Sequence, residues 1–188
     1  MKNIILISFV LIAFNFNYSQ DKEWYATVGV NFVNSLGTQN PFESPGDWAF
    51  SNPFAVSVEY RGAENLAVEQ TFSINKFKQG TILDSAILLD RDYTYFAADT
   101  SIKYYFGEYI FGNRSNSDLY VNLGGTYFSI SEDNMAGHLG LGYMYWLNED
   151  HTFALRAQII GKAALNNSSS GLTTNHYQYL FQAVYRFK

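Results

Sequence analysis

Cysteine is absent from the 188 residues, and only three of them are proline. The first absence excludes disulfides, thiolate metal sites and a lipid-bearing N-terminal cysteine. Lys, Arg, Asp and Glu make up 15% of the chain, against roughly a quarter in soluble globular domains. The charge is acidic, −5 formally, so the basic patch that nucleic acid demands is missing. No apolar run is long enough for a membrane helix, which needs about 20 residues. The apolar stretch from Ile4 to Phe14, broken only by Ser8, is too short for that role. HExxH, closely spaced histidine pairs and Cys–His clusters are missing too, so no metal site is expected and no cofactor is assigned.

Aromatic residues are abundant. They make up 18% of the chain, with 15 Tyr and 16 Phe. Their spacing is the strongest signal. In the run Tyr177-Gln-Tyr-Leu-Phe-Gln-Ala-Val-Tyr-Arg-Phe187, every second residue is apolar, with His176, Gln178, Gln182 and Arg186 on the other face. A period of two describes a strand with unlike faces. Rings crowd both ends of the apolar face, as on a strand crossing a bilayer.

The N-terminus fits an exported protein. Lys2 precedes the short apolar core, and Asn15 to Gln20 is polar. This reads as a signal peptide over residues 1–19, removed near Ser19 or Gln20, with 20–188 as one domain.

Eight segments alternate: 24–34, 54–61, 66–77, 93–106, 119–130, 136–147, 152–164 and 177–187. One face of each is apolar, as in Val28, Val30, Val58, Phe72, Ile102, Leu123, Leu139 and Leu155. Gln70 and Thr100 are its polar exceptions. The opposite face carries Glu59, Glu69, Asp99, Lys103, Arg156 and Lys162. An open sheet edge cannot persist in lipid, so the expected fold is all-β, an eight-stranded antiparallel transmembrane up-and-down β-barrel. The slightly negative mean hydropathy is consistent with this, since half of each strand faces a polar interior.

In so narrow a barrel the interior is filled by side chains, and buried charges must pair. Glu59 and Glu69 are therefore expected to meet Lys103 and Arg156 near mid-height, within an interior network that also holds Asp99 and Lys162. Inward Gly29, Gly124, Gly140 and Gly142 are expected to make room for the long charged side chains. A secreted lipocalin-like barrel is the soluble rival, with the apolar face turned inward around a ligand.

The signal peptide, the eightfold alternation and the closing Val184-Tyr-Arg-Phe-Lys188 resemble the small outer-membrane β-barrel family of OmpA/OmpX type, in a Bacteroidota-like version. The resemblance implies an outer-membrane location, contact with outer-membrane lipid and lipopolysaccharide, and a charged interior like that of the OmpA barrel. The sequence stops at the last strand, so the peptidoglycan-binding domain that follows many OmpA barrels is not expected.

With both strand termini periplasmic, the outer loops are about 35–53, 78–92, 131–135 and 165–175, and the turns 62–65, 107–118 and 148–151. The second turn is long and the third loop short for this class. Ile82, Leu83, Ile87, Leu88 and Leu89 are expected to extend the third and fourth strands above the membrane.

The leading functional expectation is a non-enzymatic structural or interaction protein. Phe42, Trp48 and Phe50 in the first loop form a candidate contact surface, either for a partner or for headgroups and the barrel mouth. The alternatives are an accessory subunit of a larger assembly, with Gln70, Thr100 and Gly125 marking an outward seam, or a narrow channel. Ser168 to Ser170 near His176 also raise a barrel enzyme acting on lipid A, since a serine nucleophile needs a base within reach. No motif of that kind is present.

Overall fold

A computed structural model describes residues 22–34, 36–37, 40–83, 87–112, 115–165 and 175–187. Residues 1–19, expected to form a signal peptide, and Ser168 to Ser170 lie outside these residues.

The alternating segments form strands β1 (Glu23–Val33), β2 (Phe54–Ala63), β3 (Leu66–Phe77), β6 (Tyr93–Tyr105), β7 (Ser117–Ser129), β8 (Asp133–Trp146), β9 (Phe153–Ala164) and β10 (His176–Phe187). They close in the order β1-β10-β9-β8-β7-β6-β3-β2, with every neighbouring pair antiparallel. First and last strands seal the barrel from Trp24↔Phe187 to Val33↔Gln178. Among the described residues the barrel sheet has no unpaired edge.

One end carries Glu23 and Phe187 and is called here the terminal mouth; the other is the distal mouth. At the distal mouth, two short strands, β4 (Ile82–Leu83) and β5 (Ile87–Leu88), pair only with each other. This corrects the expectation that 82–89 prolongs the neighbouring strands. The barrel ladder ends at Phe77↔Tyr93, and the segment folds inward because Leu83 and Leu89 find apolar cover there.

The two faces have opposite character. Val28, Val58, Ile102, Leu123, Leu139 and Leu155 are at least half exposed on the outer wall. Glu59, Glu69, Asp99, Lys103, Arg156 and Lys162 are each at most 2% exposed within. A lipocalin has the reverse arrangement, so that rival is set aside. Near the terminal rim the outer wall carries Trp24 against Tyr60 (ring centroids 4.8 Å) and Phe153 against Tyr185 (5.1 Å). Near the distal rim it carries Phe32, Tyr127 and Tyr179.

Candidate functional site: the filled interior and its two mouths

The interior is built in layers, because each strand turns every second side chain inward. Toward the terminal half lies a quartet of charges. Lys103 Nζ donates to Glu59 Oε2 (2.9 Å) and pairs with Glu69 Oε2 (2.7 Å). Arg156 Nη1 donates to Glu59 Oε2 (2.8 Å), and its Nη2 bonds Glu69 Oε1. Two acids thus face two bases, and each acid touches both. The quartet sits below the expected mid-height. Glu69, Lys103 and Arg156 are each within a few residues of the terminal end of their strands.

Neutral groups complete the quartet. Tyr105 Oη donates to Glu59 Oε1 (2.6 Å), and Ser57 Oγ to Glu69 Oε1 (2.6 Å). Arg156 Nε donates to Gln182 Oε1 (3.1 Å). Such saturation is what tolerable charge burial requires. Tyr105, Ser57 and Gln182 escaped the sequence reading as partners, although their inward phase was legible.

Asp99 and Lys162 do not join this quartet. They form a second polar layer toward the distal half, with Lys162 Nζ donating to Asp99 Oδ1 (2.7 Å) and to Tyr95 Oη (3.2 Å). Thr126 Oγ1 donates to Asp99 Oδ1 (2.6 Å) and meets His138 Nδ1 at 2.8 Å. Ser101 Oγ lies 2.8 Å from His138 Nε2, and Tyr95 Oη 2.9 Å from His176 Nε2. Ser101 and His138 are both buried in the barrel interior. His176 is likewise buried inside the barrel, at the distal end of β10. Among the described residues no group of three or more His, Asp or Glu side chains is placed to hold a metal ion.

The inward glycines serve neighbours other than the charged chains. A Cβ on Gly142 would lie 2.1 Å from Tyr120 Cζ. That ring fills the space and carries Lys103 Nζ 4.5 Å from its centroid. At Gly124 a Cβ would meet the Thr100 carbonyl and the His138 ring. The room expected for charges is thus taken by rings and backbone.

Above the second layer, Asn75 Nδ2 donates to the carbonyl and the side-chain oxygen of Asn31 and to the Ala49 carbonyl, each at 2.8 Å. An apolar lid follows, in which Leu36 and Ala49 of the first loop and Leu83 and Leu89 around the hairpin pack on Val33, Phe77 and Phe128. Ile82 N–H donates to Asp47 Oδ1 (3.2 Å), tying hairpin to loop. At the base of the hairpin, Gln79 N–H donates to Asp92 Oδ1 (2.9 Å); this bond, with Lys76 nearby, holds the Asp92 carboxyl below the usual range.

At the terminal mouth, Arg61 stacks over Tyr105 (3.7 Å from the guanidinium carbon to the ring centroid) and Arg186 lies near Trp146 (5.5 Å). Arg186 also donates to Glu23 Oε1 (2.9 Å). His151 stacks on Trp146 (5.2 Å), and partial burial, then the Arg186 charge, push its pKa below the ordinary value. These groups border an open cavity of about 230 Å³.

The first-loop rings lie against the outer wall. Trp48 stacks on Tyr179 (4.9 Å) and Phe50 on Phe32 (4.2 Å), while Phe42 is 6.3 Å from Tyr179. Of the outward seam, Thr100 Oγ1 donates to Gln70 Oε1 (2.6 Å). The two polar exceptions on the apolar wall therefore satisfy each other.

No family model matches the sequence, and no curated protein matches it. Solved structures do. The barrel is similar to Ail, the attachment invasion locus protein of Yersinia pestis, at 15% identity, covering 89% of this chain and 100% of that one, with a TM-score of 0.54. Against the outer membrane protein OprG of Pseudomonas aeruginosa the values are 16%, 88%, 95% and 0.58. Against outer membrane protein W of E. coli they are 15%, 90%, 100% and 0.51. At these identities the shared property is the fold: the closed eight-stranded barrel of small outer-membrane proteins.

Proposed function

We propose that the protein is a non-enzymatic outer-membrane barrel of OmpA/OmpX type, in a Bacteroidota-like version, exported by its leader and closed to solutes. The observation that carries this reading is the inverted polarity of the wall. Aliphatic side chains are exposed around the middle of the outer surface and rings flank them, while the charges are paired inside. Water does not favour such a surface, whereas a bilayer matches it. In this frame Phe42, Trp48 and Phe50 meet lipopolysaccharide and headgroups at the distal rim, and the lid supports the loops displayed beyond it.

Closure is supported by the succession of an apolar lid, two ion-paired polar layers and a ring-lined mouth. Two measurements test the reading. The full-length protein should fractionate with outer membranes and resist carbonate extraction. In planar bilayers it should give little steady conductance. Recovery as a soluble periplasmic protein would refute the location, and a large, stable open channel would refute the closed interior.

A further inference from the structure

The long connection between β6 and β7 carries a feature the barrel itself does not need. Residues 108–111 form a four-residue helix, α1 (Glu108–Phe111), ended by Gly112 at φ 82°. Three consecutive apolar side chains leave it exposed: Tyr109 at 68%, Ile110 at 59% and Phe111 at 44%. Three adjacent apolar residues turned to water at a chain connection are costly without a partner.

The helix is held in place on both sides. Phe106 N–H donates to the Leu119 carbonyl (2.8 Å), and Gly107 N–H to Asp118 Oδ1 (3.1 Å). A Cβ on Gly107 would lie 2.5 Å from the Leu119 nitrogen, so the helix starts hard against β7. Asn65 Nδ2, in the adjoining β2–β3 turn, donates to Tyr109 Oη (3.1 Å). Tyr109 also lies close to Tyr104, an outward residue of the terminal rim that pairs in register with Leu66. The exposed apolar face of α1 is thus continuous with the apolar outer wall.

Resting on the outer-membrane reading above, we infer that Tyr109, Ile110 and Phe111 form an interfacial anchor that seats in the phospholipid surface of the inner leaflet. Continuity selects the occupant. Leu66 and Tyr104 already face lipid directly above α1, and a ring whose hydroxyl is hydrogen-bonded while its body is apolar suits the headgroup boundary. An interfacial segment of this kind buries an apolar face at the boundary between headgroups and acyl chains without spanning it. The unusual length of this turn then has a physical purpose.

The absence of cysteine makes the test clean. Single variants Ile110→Cys, Phe111→Cys, Val30→Cys and Asp150→Cys of the full-length protein are labelled with a nitroxide and folded into phosphatidylethanolamine/phosphatidylglycerol vesicles. Collision with oxygen, which favours lipid, is compared with collision with a water-soluble nickel chelate. The labels at 110 and 111 should show an oxygen-to-nickel ratio severalfold above that at 150 and below that at 30. Labels at 110 and 111 as nickel-accessible as that at 150, with 30 still lipid-buried, would overturn the anchor and leave the barrel reading intact. Nickel access at 30 as well would overturn both. Protection from both reagents that grows with the protein-to-lipid ratio would assign the face to a second copy and overturn the anchor.

Discussion

Removing Arg156 probes the quartet most directly. Its guanidinium reaches both acids, and among the described residues Lys103 is the other cation at bonding distance from each. Arg156→Met leaves Glu59 and Glu69 to share one ammonium, with one uncompensated negative charge in a region at most 2% exposed. Breaking a buried pair on one side costs about 3–5 kcal/mol. Pairing the change with Glu59→Gln restores neutrality. Lys103 keeps Glu69 at 2.7 Å, and the amide oxygen can still accept from Tyr105. The double variant should therefore be more stable than Arg156→Met alone, with a coupling of about 1–3 kcal/mol in the double-mutant cycle. Urea titrations of folding into lipid vesicles, followed by tryptophan fluorescence, measure all four members. Strictly additive costs would refute the pairing while leaving the barrel in place.

Further outcomes concern the wall and the packing. Leu123→Arg, at the centre of β7 and 65% exposed, should cost about 2–4 kcal/mol in vesicles, whereas Met135→Arg near the distal rim should cost about 0–1. Equal costs in vesicle folding would mean that the apolar belt is misplaced. Gly142→Ala should lose about 1–3 kcal/mol by forcing the Tyr120 ring to move, and Tyr120→Leu in the same chain should recover part of that loss. Gly125→Ala, on the outer wall with no heavy atom within 4 Å of its added Cβ, should change stability by less than about 0.5 kcal/mol in the same titration. Leu83→Asp with Leu89→Asp should open the apolar lid and raise conductance in planar bilayers over that of the wild type; unchanged conductance would refute a sealing role for the lid.

The strands were legible because alternation over ten or more residues fixes both element and phase. β3 is legible to the residue, Leu66–Phe77, β1, β2, β6, β7, β9 and β10 to within two residues, and β8 to within three. The same phase placed Glu59, Glu69, Lys103 and Arg156 on the inward face. Depth was less legible. Strand tilt and stagger decide which inward residues share a layer, and that is why Asp99 and Lys162 separated from the quartet. The hairpin at 82–88 was misread because a short apolar run has no period to say whether it extends a ladder or folds over a mouth. Leu83 and Leu89 are buried by contacts with the first loop and distant strands, and no local pattern encodes such contacts. For Phe42, Trp48 and Phe50 composition pointed to a surface role, yet only the fold shows Phe32 and Tyr179 waiting on the wall behind them.

Depth-resolved quenching tests the lipid-facing wall most directly. Three variants each keep one tryptophan, the others being replaced by Phe: Trp24 on the outer terminal rim, Trp146 inside the barrel, and a third introduced by Leu123→Trp at the middle of the outer wall. Each is folded into phosphatidylcholine brominated at shallow or deep acyl positions. The tryptophan at 123 should be quenched most by deep bromine, Trp24 most by shallow bromine, and Trp146 weakly by either. Quenching at 123 no stronger than at 146, with the indole open to aqueous iodide, would contradict the claim that this barrel turns its apolar face to lipid.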